Sequence, residues 1–175
     1  MIVDVKIYYC VDNHFPPRRG VIPTEEQFER NWKVLPDWVW ENIEHNAGDW
    51  LNDLSTGELL NNIYRRMNDF EANPLSVGFL SRRPENEEDE VGFRFMTDGT
   101  EVSGNPRFGQ DWMKEHGVDH TSMSVGDIVE INGHRWHCQS IGWKDEEGNG
   151  PPFGRYGFVA ATAPVHPISD DESDN

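Results

Sequence analysis

Lysine is nearly missing from this 175-residue chain: four lysines and 11 arginines face 32 acidic residues, giving a formal net charge of -17. A general DNA-binding surface needs a basic footprint to displace phosphate counterions, so direct nucleic-acid binding is not expected. Cysteine is scarce too. Cys10 and Cys138 permit one bridge at most, and a reducing cytoplasm would keep both as thiols. No stretch approaches the roughly 18 consecutive apolar residues that a membrane span requires. Asp4 and Lys6 interrupt the apolar N-terminal run, which argues against an export signal. The expected location is therefore the cytoplasm, away from membranes. No strong catalytic signature stands out.

What is present argues for a folded domain. Hydrophobic residues make up 35% and aromatics 11% of the chain, too many for a disordered polymer of this charge. Residues 2–11 alternate Val3, Val5, Ile7 and Tyr9 with Asp4, Lys6, Tyr8 and Cys10, the period of a strand. Thr24 and Gln27 form a capping-box pattern for a helix carrying Phe28, Trp32 and Leu35, which Pro36 should stop. Asp37 then reads as the cap of a second helix that runs to Gly48. Ser55 and Glu58 make another capping box, followed by Leu59, Leu60, Ile63, Tyr64, Met67 and Phe70 at three- and four-residue spacing.

Residues 75–83 and 91–97 read as short strands joined by an acidic loop, and a helix beginning near Asn105 should end at Gly117. Asn132-Gly133, between two β-rich runs, is the signature of a two-residue type I′ hairpin. That register pairs Ile131 with His134, Glu130 with Arg135, Val129 with Trp136 and Ile128 with His137. Val129, Ile131, Trp136 and Cys138 then face the core. Glu130, Arg135, His137 and Gln139 face solvent. A further strand is expected at 155–162. The fold class is α+β, a small mixed or antiparallel sheet with three to four helices and a C-terminal β-hairpin. Residues 1–163 form one domain with an acidic insert near 84–90, and 164–175 form an acidic, disordered tail.

The acid is concentrated in two runs, Glu85, Glu87, Glu88, Asp89 and Glu90, and then Asp170, Asp171, Glu172 and Asp174. Such runs fit three readings: a solvated surface, adaptation to a salty cytoplasm, or a decoy that occupies the basic groove of a nucleic-acid-binding protein. Only the decoy predicts steered association that weakens sharply with salt.

Candidate chemistry is sparse. His116 and His120 have the spacing of helical metal ligands, but Gly117 breaks the helix between them. His134 and His137 fall on opposite strand faces and cannot chelate one ion. No metal and no cofactor are expected. His120, Ser122, Ser124 and Asp127 form the one compact set containing a nucleophile, a base and an acid. The competing reading makes Ser122, Ser124 and Asp127 turn residues, with Gly126 allowing entry into the strand at Ile128.

Two blocks of sequence resemble the YodL-like domain family of plasmid, conjugative-element and phage proteins. Leu60-Asn-Asn-Ile63-Tyr64-Arg-Arg66-Met67-Asn68 is similar to its L-x-x-I-Y-x-x-F-N helix. His120-Thr-Ser122-Met-Ser124-Val125-Gly126-Asp127-Ile128-Val129 is similar to H-S-L-S-V-S-D-V-V, and it continues through Ser140, Gly142 and Trp143. The chain departs from the pattern at Gly126, Gln139 and Trp143, and some 50 residues separate the two blocks. The resemblance implies a small α+β domain from a viral or mobile-element setting. Within it Ile63, Tyr64, Asn68, Ser124, Val125, Asp127, Ser140 and Gly142 would be structural. It supplies no reaction.

These observations lead to an expectation of a non-enzymatic accessory protein. It would engage the basic groove of a host nucleic-acid-handling protein through Glu85, Glu87, Glu88, Asp89 and Glu90. The alternatives are a small hydrolase or nucleotide-processing enzyme using His120 with Ser122 or Ser124 and Asp127, and a halophile housekeeping protein. Oligomeric state is not legible from the sequence.

Overall fold

Alternation builds the first strand as expected: in β1 (Val5–Cys10), Val5, Ile7 and Tyr9 are buried while Lys6, Tyr8 and Cys10 are half-covered. The computed structural model describes residues 3–11, 21–76, 95–97, 100–102 and 108–153. The remaining strands are β2 (Trp32–Val34), β3 (Phe95–Thr97), β4 (Thr100–Val102), β5 (Ile128–Ile131), β6 (His134–Cys138) and β7 (Trp143–Lys144). Four helices accompany them: α1 (Glu25–Asn31), α2 (Asp37–Ala47), α3 (Thr56–Met67) and α4 (Phe108–His116). The arrangement is α+β. Five strands form an antiparallel sheet of order β2-β1-β5-β6-β7, and β3 and β4 form a separate hairpin.

The Asn132-Gly133 hairpin has the expected register, Ile131 opposite His134 through Ile128 opposite His137. Asn132 and Gly133 have φ of 50° and 81°, as a type I′ turn demands. Both capping boxes form. The Thr24 and Ser55 hydroxyls accept the Gln27 and Glu58 amides, and the Gln27 and Glu58 side chains reach back to the cap amides. The turn also ties the sheet together, because Asp4 donates its amide to Asn132 Oδ1 at 2.9 Å and Asn132 donates its amide to the Asp4 carbonyl at 2.8 Å.

One face of the sheet carries Val5, Ile7, Tyr9, Val129, Ile131, Trp136, Cys138 and Trp143. Against it pack Leu59, Leu60, Ile63 and Met67 of α3, Val39 and Ile43 of α2, and Trp112 of α4. Each such aliphatic side chain contributes about 1.5–3 kcal/mol when removed from water. Phe153 closes on the start of α3, where the Gly57 amide donates to the Pro152 carbonyl at 2.9 Å. Glycine is required there, since a Cβ would lie 2.4 Å from the Phe153 ring.

Several expectations need correction. The first helix ends at Asn31, and 32–34 is a strand paired with β1, Tyr8 opposite Val34 and Cys10 opposite Trp32. Trp32 gains a tertiary bond from this geometry, its indole Nε1–H donating to the Gly126 carbonyl at 2.8 Å. Pro36, not Asp37, occupies the cap of α2, and Asp37 instead places its carboxylate in the first turn. The α3 stripe stops at Met67, and Phe70 lies beyond the helix, 64% exposed. Phe95–Thr97 pairs with Thr100–Val102, and Leu75 and Ser76, the described start of the strand expected at 75–83, form a buried turn.

The second face of the hairpin is not open to solvent. Phe28 and Trp32 cover Ile128, with Tyr8 and Cys10 packed alongside, and His137 and Gln139 are buried. The acidic run at Glu85–Glu90, most of the strand expected at 75–83, the strand at 155–162 and the tail at 164–175 lie outside the described residues.

Candidate functional site

Asp127 stands where a tight turn enters β5, and its carboxylate is spent on backbone. Oδ2 accepts the Ser124 amide at 2.7 Å and Oδ1 accepts the Cys10 amide of β1 at 3.0 Å. Its own amide donates to the Ser124 carbonyl at 3.0 Å, and its carbonyl accepts the Cys138 amide at 2.9 Å. Gly126, with φ of 97°, allows the chain to turn there. The residue is 4% exposed, and burial pushes its carboxyl up to about 7 against the pull of the two amides.

The contacts of the other members of the His/Ser/Asp set run through backbone groups. His120 is exposed, and its Nδ1 lies 3.1 Å from the Ser122 carbonyl, not from a hydroxyl. Ser124 is exposed and meets Asp127 through its backbone. Thr121 is held from two sides, its carbonyl accepting the Tyr9 hydroxyl and, at 2.7 Å, the Asn73 side-chain Nδ2–H. The bonds of the His120 ring and the Asp127 carboxylate thus go to backbone groups, the pattern of side chains that shape a turn.

The resemblance residues occupy structural positions. Ile63 is fully buried, and Tyr64 meets Trp143 edge-on at 6.4 Å. Asn68 caps α3, its side chain donating to the Tyr64 carbonyl at 2.9 Å. Val125 and Ser140 are half-covered near the turn, and Gly142, at φ 70°, accepts the Gln139 amide at 3.0 Å.

A different group of residues makes the cleft. Glu25 of α1, Glu130 of β5, Arg135 of β6, the hairpin residues Gly133 and His134, and Asp145, Glu146 and Glu147 after β7 enclose about 340 Å³. Arg135 forms its centre. Its guanidinium forks onto Glu25 at 2.8 and 3.2 Å, reaches Glu146 at 3.5 Å and Glu130 at 3.5 Å, and lies 3.7 Å over the Phe28 ring. Lys6 supports Glu130 from β1 at 3.6 Å. The bond from Arg135 holds the Glu25 carboxyl below its ordinary value. Burial raises the Asp145 carboxyl, but the Asn149 amide at 2.8 Å, the Asn149 side chain and the Glu147 amide outweigh it and hold it low. Five carboxylates therefore surround one arginine and the exposed His134, which lies 3.7 Å from Asp145.

Sequence reasoning found Glu130 and Arg135 as a cross-strand pair but missed the cleft, because Glu25 and the 145–147 loop reach it only through the tertiary fold. Among the described residues no group of three or more His, Cys, Asp or Glu is placed to hold a metal ion. His116 is occupied otherwise, its Nδ1 2.8 Å from the Trp112 carbonyl and its ring stacked on Trp112. No helix among the described residues is long and apolar enough to cross a membrane.

Compared with known proteins, the chain matches no family model, no curated protein and no solved structure.

Proposed function

We propose that this is a non-enzymatic acidic accessory protein of a phage or mobile element that binds a host nucleic-acid-handling protein at a basic surface. The observation that carries the reading is the carboxylate-rich cleft around Arg135, set in a chain of net charge -17. Glu146 and Glu147 are exposed at its rim, where their charge acts through solvent on an approaching cationic surface. The acidic run Glu85, Glu87, Glu88, Asp89 and Glu90 adds to the chain's negative charge. The YodL-like resemblance supports the mobile-element setting by association alone. The turn at Ser122–Asp127, with its bonds committed to backbone, serves as scaffold in this reading.

The test is a nuclease-treated pull-down from a candidate host lysate across a salt ladder, repeated with Glu85, Glu87, Glu88, Glu90, Glu146 and Glu147 changed to Gln. One nucleic-acid-handling protein should be recovered, lost as salt rises, and absent with the neutralised variant at unchanged melting temperature. Absence of any partner at low salt, or undiminished capture by the variant, overturns the reading.

A further inference from the structure

The turn into β5 holds a carboxylate that meets no counter-charge among the described residues. Asp127 is 4% exposed, and its hydrogen bonds come from the backbone amides of Cys10 and Ser124. Among the described residues the titratable groups that act on it are Tyr9 of β1, Tyr64 of α3 and Cys138 of β6, all uncharged near neutral pH. Among the described residues no lysine or arginine forms an ion pair with it. A carboxylate taken out of water without a cation binds its proton far more tightly than one on the surface, and two amide donors offset only part of that effect.

We propose that Asp127 is a proton-operated clasp: ionised, it ties the 121–127 turn to the end of β1, and protonated, it releases the β1 tie. The ionised carboxylate has an acceptor for each amide. A protonated carboxyl keeps one good acceptor oxygen, and its hydroxyl then opposes an N–H, so one tie is lost. The Cys10 contact, at 3.0 Å against 2.7 Å for Ser124, is the weaker and is the one released. The Ser124 side stays closed because the turn is held independently through Gly126, whose amide donates to the Cys138 carbonyl at 2.8 Å and whose carbonyl accepts the Trp32 indole. Burial raises the Asp127 carboxyl to about 7, so the clasp works across the neutral range.

The folded state binds this proton more tightly than the unfolded chain does, so Asp127 removes stability as pH climbs from the ordinary carboxylate value of 3.8 towards 7. The loosened tie and the gain in stability therefore occur together on acidification. A purely structural aspartate would not show that combination.

Carbon-detected NMR of the full chain, following the Asp127 carboxyl, tests this directly. The carboxyl should titrate near neutrality, and the Cys10 amide should move with the same midpoint. Its exchange protection should fall about tenfold or more from pH 8 to pH 5.5 after correction for intrinsic rates, while that of Ile7 holds. In Asp127→Asn the Cys10 amide should stop titrating. The variant's folding constant should also rise relative to the parent's by about tenfold per pH unit as pH climbs from 5.5 towards 7, and level off above that. A carboxyl midpoint near 4, or a Cys10 amide that ignores the titration, overturns the proposal. If Asp127→Asn fails to fold, the parent's carboxyl and amide titrations decide it alone.

Discussion

Arg135 of β6 lies with its guanidinium carbon 3.7 Å above the centre of the Phe28 ring of α1. The same guanidinium forks onto Glu25, one helical turn earlier, so a single side chain fastens both the charged and the apolar edge of α1 to the sheet. α1 is only seven residues long, too short to persist without such anchorage.

Arg135→Lys should therefore cost about 1 kcal/mol, since an ammonium reproduces neither the fork nor the planar stacking. Glu25 is exposed and contributes little on its own, so most of the loss should survive in high salt. Urea titrations at low and high salt measure it; a loss that vanishes with salt would assign the whole effect to the ion pairs.

Two buried groups pull the pH profile in opposite directions. His137 is 2% exposed, and burial, aided by the nearby Arg135 charge, drops its imidazole to about 4. The unfolded chain then holds more protons than the folded one between about 4 and 6.5, so His137 adds stability as pH rises through that window. Asp127 removes stability over the same interval. In the parent protein the two slopes oppose each other. His137→Asn should expose the Asp127 slope, and the urea midpoint should fall steadily from pH 4.5 to pH 6.5. A flat profile in that variant would show that Asp127 does not titrate there.

The capping boxes offer a comparison within one molecule. Ser55→Ala and Thr24→Ala each remove one cap hydroxyl and should each cost about 1 kcal/mol by chemical denaturation. The consequences should differ in place. Hydrogen exchange should report the first loss throughout α3 and the main core, and the second mainly in α1. Equal spreading from both sites would refute the separation of the two clusters.

The thiols should behave unequally. Cys138 is fully buried, and burial pushes its thiol up to about 12, leaving almost no thiolate at neutral pH. Cys10 is partly exposed on the opposite face of the sheet. Iodoacetamide added to the folded protein should alkylate Cys10 and spare Cys138, and peptide mass spectrometry distinguishes the two. The opposed faces also prevent a bridge between them without loss of the sheet.

Legibility in the sequence tracked distance along the chain. The β1 alternation, both capping boxes and the Asn132-Gly133 hairpin depend on neighbours within a few residues, and each was readable. β2 was not, since three residues following a helix carry no period of their own and become a strand only through β1. The cover over the hairpin's second face was hidden for the same reason, because Phe28 arrives there from α1. For the site, Asp127 was readable as turn chemistry through its neighbours Ser124 and Gly126. Its partner Cys10 lies 117 residues away, and nothing local announced it.

The paired bonds between Asp4 and Asn132 span 128 residues and place the first strand beside the hairpin near the other end of the described chain. During synthesis β1 leaves the ribosome ahead of β5 and then waits, unpaired on that side, until residues 128–138 have followed it out. The helices between can form meanwhile, but the five-stranded sheet cannot close until β5, β6 and β7 have been made. Refolding from denaturant should carry the same signature, with helical signal recovering ahead of the slow pairing of β1 with β5.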